Sequence, residues 1–362
     1  MNILRALLPC LAFVMTACQP ATPPMSPQET AYMDALTQNP TPRCIGRYMI
    51  DLPENMTPVT GPHGTEIEDV KIEVTPMNQA RYELALKERE HLLKNQHMDG
   101  EANNPYLKSV IKLANNSGLI FNRARATGSA DVARTLELWS WRDNFQMKMS
   151  IDADDPTDPK YADHPRISKR KKTIDEKLAH LLEVYSRTRG RADTEIPTEP
   201  GFCFAHGFVA GKAGKNEKMN ILYAFKNVPD VSLGFEYDAL FQEDTSLLDR
   251  GKEINAMLKN SNGRTLRKGK NKTGGVPAEE WLMTGNTDSN VMGHTFTLES
   301  SNKTGREDTP FFVIDMQNGN YWDDDDLDNP RPKLTKATLS EAQAIVFWER
   351  VTATLRPRPN AF

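Results

Sequence analysis

Four short stretches of this chain recur in the same order at nearly one spacing, roughly 160 residues, the signature of a duplicated unit. Cys44 opens "CIGRYMIDLP" and Cys203 opens "CFAHGFVAG"; "LLKN" at Leu92 to Asn95 returns as "MLKN" at Met257 to Asn260. "TLEL" from Thr135 returns as "TLES" from Thr297, and "RGR" at Arg189 to Arg191 returns as "RPR" at Arg356 to Arg358. Each match is weak alone; their common order and spacing carry the reading. A duplication constrains the fold severely, because whatever one half builds the other must build again. The 362 residues suffice for two such units with a core each.

Hydrophobic periodicity says what each unit contains. Val70, Ile72 and Val74 alternate with Lys71 and Glu73, as in a half-buried strand. Phe145, Met147, Met149 and Ile151 alternate likewise, as do Val231, Leu233, Phe235 and Tyr237. Thr75-Pro76 reads as a helix start with proline in its tolerated first position. Tyr82, Leu86 and Leu93 then share one face of that helix, and Leu247, Ile254 and Leu258 take the part in the second copy. Each half closes with a further helix, from Lys177 to Thr188 and from Glu341 to Leu355. The latter opens with Ser340 and Gln343 at capping-box spacing and is striped by Ala344, Trp348, Val351 and Leu355. Strands, helix, strands, helix, twice over, predicts an α+β protein of two similar domains, each an antiparallel sheet with helices on one side. The polar, aperiodic join "GRADTEIPTEP" (Gly190 to Pro200) divides the chain into domains of residues 43–195 and 196–362.

Ahead of this body, Arg5 precedes the apolar stretch "ALLPCLAFVMTA" from Ala6 to Ala17. It is shorter than the about 20 residues that span a bilayer, and it suits the core of an export signal. Met15-Thr16-Ala17-Cys18 resembles a bacterial lipobox, in which small residues precede a cysteine whose nucleophilic thiol takes up a diacylglycerol before cleavage. Residues 1–17 are therefore expected to be a lipoprotein signal peptide, with Cys18 the site of lipid attachment. Residues 18–42, with prolines at 20, 23, 24, 27, 40 and 42, are expected to form an extended tether. Met15 stands where leucine is usual, which leaves plain cleavage without lipid as the alternative. Gln19 in place of aspartate points, by analogy with bacterial lipoproteins, to the outer membrane. The expected location is the periplasm, with a lipid anchor.

Export bears on the remaining cysteines. Cys10 leaves with the signal and Cys18 is acylated, so Cys44 and Cys203 remain, in an oxidising compartment most simply as a disulfide. The rival is a catalytic thiol helped by Cys203-Phe204-Ala205-His206, but a reactive thiol oxidises there. A net charge of −4 with both signs spread along the chain gives nucleic acid no field to find. The sequence holds no G-x-S-x-G nucleophile elbow and no H-E-x-x-H zinc motif. "GFVAGKAGKNEK" lacks the phosphate-loop spacing, and the carboxylates at Asp152, Asp154, Asp155 and Asp323 to Asp326 do not follow a calcium loop. No catalytic residue, cofactor or metal ligand is expected, and no enzyme. Aromatics anchor interfaces, which makes Tyr321 and Trp322 beside Asp323 and Asp324, together with Trp139 and Trp141, the expected contact residues for a partner. Buried packing is the other reading of the two tryptophans in "LWSW".

Taken together, "CIGRYMIDLP", "GFCFAHGFVAG", "PDVSLGFEYDA", "RTLRKGKNKTGGVPAEEWLM" and "SEAQAIVFWERVTATLRPRP" resemble the two-domain immunity proteins that protect bacteria from type VI secreted phospholipase effectors. The likeness covers Arg43 to Pro359 and is strongest after Pro200. It implies an exported, often lipidated protein without enzymatic activity. Its partner would be a cognate phospholipase effector, inhibited by blocked access to the active site or by a lid held shut. An envelope lipoprotein with a structural or assembly role shares the anchor and the missing motifs, and is the alternative.

Overall fold

The computed structural model describes residues 23–59, 64–130, 132–214, 216–301, 306, 308–322 and 332–362. The expected signal peptide, Cys18, Asp323 and Asp324 lie outside the described residues. The first half runs α1 (Pro27–Leu36), β1 (Thr41–Ile45), β2 (Tyr48–Leu52), β3 (Met56–Pro58), β4 (Thr65–Ile67), β5 (Val70–Pro76), α2 (Gln79–Asn95), β6 (His97–Met98), β7 (Glu101–Pro105), β8 (Leu107–Lys112), β9 (Gly118–Ala124), β10 (Ala133–Arg142), β11 (Phe145–Asp154), α3 (Ile174–Arg187) and β12 (Thr188–Gly190). The second runs β13 (Gly201–Phe204), β14 (Gly207–Ala210), β15 (Glu217–Phe225), β16 (Val228–Asp238), α4 (Gly251–Asn260), β17 (Arg264–Thr273), β18 (Val276–Asn286), β19 (Met292–Ser300), β20 (Phe311–Asn318), α5 (Glu341–Thr352) and β21 (Arg356–Pro357).

The protein is α+β and antiparallel in both halves, and the alternating strands bury one face each. Ile72, Val74, Met147, Met149, Leu233 and Phe235 all enter the main core. The two sheets are continuous. Their strands line up as β17-β18-β19-β20-β16-β15-β4-β5-β11-β10-β9-β8, with β3 also on β15. That order mirrors itself about the β4–β15 pair, where Glu66 faces Lys218.

The halves also exchange strands. The β1–β2 hairpin takes β21 from the far end of the chain, with Tyr48 opposite Pro357. The β13–β14 hairpin takes β12 from the end of the first half, with Thr188 opposite Val209. A disulfide between Cys44 and Cys203 ties the two hairpins together. Beside it, Gly46 makes the β1–β2 turn at φ +59°, where a Cβ would stand 2.7 Å from the Tyr237 ring. Only glycine satisfies both the backbone and the close approach.

Each half carries its two main helices on opposite faces of the sheet, where a shared face was expected. The reason lies in strands such as β10, whose first eight residues are buried on both sides. Leu136 and Leu138 pack with Leu181 and Val184 of α3 in the main core. Trp139, pointing the other way, packs with Tyr82 and Leu93 of α2 in a second cluster. The second half repeats this: Trp281 lies beneath Gly251 of α4, while its neighbour Glu280 accepts from Trp348 Nε1 of α5 at 3.2 Å.

Two local expectations change. Pro76 ends β5, and α2 is capped instead by Asn78, whose side-chain oxygen accepts the Arg81 N–H at 3.0 Å. Part of the expected tether is helix α1, not an extended spacer. Ser26 and Glu29 form a capping box with Pro27 in the first turn, a start signal that outweighs the count of prolines. Met33 and Leu36 are buried, and α1 docks on α5: Ser340 Oγ donates to Glu29 Oε1 at 2.6 Å and Arg350 to Asp34 at 2.8 Å.

Candidate partner-binding face

The strand residues that point away from the main core are polar and uncovered along the middle of the sheet. Across β11, β5, β4, β15 and β16 they are Lys148, Ser150, Glu73, Lys71, Glu66, Lys218, Asn220, Glu236 and Asp238, all exposed or half-buried. Register places them on one face, since directly paired residues share a side: Trp139 with Lys148, Lys148 with Glu73, Lys71 with Glu66, Lys218 with Asp238. The row continues through Glu236, Val313, Glu299 and Glu279 to the face beneath α4. The result is an open trough with a sheet for its floor and α2 and α4 for its flanks, one helix from each half. Its first-half end holds a cleft of about 730 Å³ lined by Arg89, Trp139 and Lys148, among others. A smaller cleft of about 330 Å³ lies against Ile254 and Met257 of α4.

A buried glutamate fixes each flank. Arg89 of α2 grips Glu137 of β10 through two bonds of 2.7 Å, Arg123 adds a third at 2.6 Å, and Trp139 Nε1 donates at 2.8 Å. Burial alone raises a carboxyl, but the two guanidiniums win and hold Glu137 down to about 2. In the second half Arg250, just ahead of α4, makes the matching ion pair with Glu299. These are the two glutamates of the repeated "TLEL" and "TLES".

The sign of the linkage follows. A carboxyl held below its ordinary 4.5 stabilises the fold fully above that pH, and the benefit fades as pH falls from about 4.5 towards 2. Glu137→Gln is expected to cost about 3 kcal/mol at pH 7, on the order of the shift itself. Urea unfolding should show the gap to the parent protein closing by about pH 2. A gap that stayed constant across that range would contradict the ion-pair origin.

The aromatics expected to meet a partner do not come together. Trp139 is buried, with Lys148 Nζ 4.7 Å above its ring, so it is mainly a packing residue that walls the cleft. Trp141 donates to the Met77 carbonyl at 2.7 Å. Tyr321 and half-buried Trp322 follow β20, which five strands separate from β10 in the sheet order, and Tyr321 Oη donates to the Pro332 carbonyl at 2.8 Å. Cys203, bonded to Cys44, offers no thiol beside His206. Sequence reading missed the trough because polar positions facing an uncovered sheet look like any solvent-facing strand residue. Among the described residues, Glu68, His180 and Glu183 place ligand atoms within 4.8 Å of one another. Arg187 lies 3.0 Å from Glu68 and 2.6 Å from Glu183, so the cluster already has its cation and reads as an ion-pair network.

Two family models match the chain: "Tle cognate immunity protein 4 N-terminal domain" over residues 41–191 and "Tle cognate immunity protein 4 C-terminal domain" over residues 195–360. No curated protein matches it. Among solved structures it is similar to the apo structure of immunity protein TplEi of T6SS from Pseudomonas aeruginosa. The identity is 21% and the TM-score 0.66, covering 91% of this chain and 100% of that one. It is similar to a chain in the crystal structure of a Tle4–Tli4 complex, at 21% identity and a TM-score of 0.64, covering 90% and 99%. It is also similar to TplEi from Pseudomonas aeruginosa complexed with "L" peptide, at 20% identity and a TM-score of 0.58, covering 89% and 99%. At these identities the likeness is one of fold.

Proposed function

This chain belongs to the Tle cognate immunity protein 4 family, and from that premise we propose that it binds a phospholipase effector of a type VI secretion system and silences it without chemistry of its own. The observation that carries the reading is the uncovered trough, a polar floor with a helix from each half on either side. Such a surface suits a protruding element of another protein better than a small substrate. A lipase lid must move to admit lipid, so a partner that clasps it shut or covers the entrance abolishes turnover. Protection demands slow release, which a specific interface of about 1,600 Å² or more provides. The lipobox-like Met15 to Cys18 supports a periplasmic location, with the body anchored through Cys18 to the outer membrane.

The test is a titration of the mature protein against the purified phospholipase encoded beside it, with phospholipid vesicles as substrate. Hydrolysis should fall linearly to zero at a stoichiometric ratio. Undiminished hydrolysis at a tenfold molar excess would end the proposal. For the anchor, Cys18→Ala should move the protein from the membrane fraction to the soluble periplasm and abolish incorporation of labelled palmitate.

A further inference from the structure

The floor of the trough is not uniform in charge. From β11 across to the end of β16 opposite charges alternate: Lys148 lies 3.5 Å from Glu73, Lys71 faces Glu66, Glu66 faces Lys218, and Lys218 lies 3.5 Å from Asp238. Beyond Asp238, towards α4, the floor turns to carboxylates, with Glu236 on β16, Asp315 on β20 and Glu299 on β19. Arg250 pairs with Glu299 and reaches Glu243 at 3.8 Å. Among the described residues no cation forms an ion pair with Glu236 or with Asp315, which accepts a hydrogen bond from the Thr297 hydroxyl at 2.5 Å. Burial, then the neighbours Asp315, Asp238 and Glu299, push the Glu236 carboxyl up, and burial pushes Asp315 up in spite of the Thr297 bond.

Between these two carboxylates the floor has a notch. Gly234 sits directly opposite Asp315 in the β16–β20 pair. Its backbone is not left-handed, and a Cβ there would meet nothing nearer than the Asp315 carbonyl at 3.8 Å and Leu222 Cδ1 at 3.9 Å. Among the described residues nothing in the packing requires glycine here, and a strand-interior glycine leaves room for a ligand or another chain to approach closely.

We propose that the second half of the trough is a socket for a cationic side chain of the bound lipase, an arginine or lysine seated over Gly234 between Glu236 and Asp315. The socket rests on the function proposed above and adds the chemistry of the contact. The entering cation relieves the repulsion on the floor, and a guanidinium can bridge both carboxylates at once. The lipase must then carry an exposed arginine or lysine on the element that enters the trough.

The test uses the mature chain and the same purified phospholipase. Failure of the parent protein to inhibit would overturn the function and take the socket with it. Given inhibition, Glu236→Lys and Gly234→Val should each raise Kd at least about 30-fold, while Glu54→Lys, in an exposed turn outside the trough, stays within about twofold. Because Glu236 is repelled by its neighbours, Glu236→Lys should keep or raise the Tm of the free protein. A loss of affinity then comes from the contact and not from the fold. The parent affinity should also weaken with added salt. If Glu236→Lys binds within about threefold of the parent protein, with inhibition intact, the socket is wrong and the function stands.

Discussion

Arg191→Ala is expected to destabilise the protein by about 3–5 kcal/mol, because it strips the partners from a buried cage of carbonyl oxygens. Arg191 is 1% exposed, yet among the described residues its guanidinium bonds to backbone carbonyls and forms no ion pair. Its Nε donates to the Gly207 carbonyl at 3.1 Å, and one terminal nitrogen to the carbonyls of Ala192, Asp193 and Glu195 at 2.8 to 3.1 Å. The other reaches Cys44 at 2.9 Å and Phe204 at 3.3 Å, so one side chain joins the join between halves to a hairpin from each. Arg358 is its counterpart, donating to the carbonyls of Pro197, Glu199 and Gly201 at 2.6 to 2.9 Å. Burial, then Arg47, push its guanidinium down to about 10, still charged at neutral pH. The segment between the halves is therefore clamped at both ends. Lysine at either position should recover little, since one ammonium cannot span a fork-shaped set of acceptors. Urea unfolding followed by tryptophan fluorescence measures the loss; under 1 kcal/mol for Arg191→Ala would refute the clamp.

The repeats at one spacing mark these anchors with some fidelity. "RGR" and "RPR" contain Arg191 and Arg358, "TLEL" and "TLES" contain Glu137 and Glu299, and the two cysteine blocks contain the bonded pair. Alternation exposed β5, β11 and β16 because each turns its apolar residues to the main core, and the Ser340 cap announced α5 because its side chain replaces lost backbone partners. The exchange of strands was not legible. β12 and β21 are three and two residues long, too short for any period, and β21 pairs with a strand some 300 residues earlier. Nor was the placement of helices on both faces, since an all-buried strand such as β10 has no polar side to betray its orientation. The trough escaped for a related reason. Its residues are ordinary lysines and glutamates, and only the register across five strands assembles them into one surface. Aromatic content pointed instead to Trp139, whose ring is spent on packing.

Removing the disulfide with Cys44→Ala and Cys203→Ala is expected to cost up to about 5 kcal/mol, through the unfolded state and not the folded one. The bond closes a loop whose ends lie 159 residues apart, and a longer loop restricts the unfolded chain more. In the folded protein the two hairpins are held together in other ways: Gly46 and Cys203 exchange backbone hydrogen bonds of 2.8 and 2.9 Å, and Arg191 spans both hairpins. The alanine variant should accordingly keep the native fold and its trough, while its unfolded chain expands. This gives the two predictions different signatures in denaturant. Losing the cysteines should lower the midpoint and steepen m, because a chain without the cross-link exposes more surface on unfolding. Losing Arg191 should lower the midpoint at constant m, because the damage is confined to the native cage. If the cysteine variant instead lost inhibition of the lipase while its m stayed fixed, the bond would be shaping the native trough directly, and the hydrogen-bonded hairpins would not suffice to hold the halves in register.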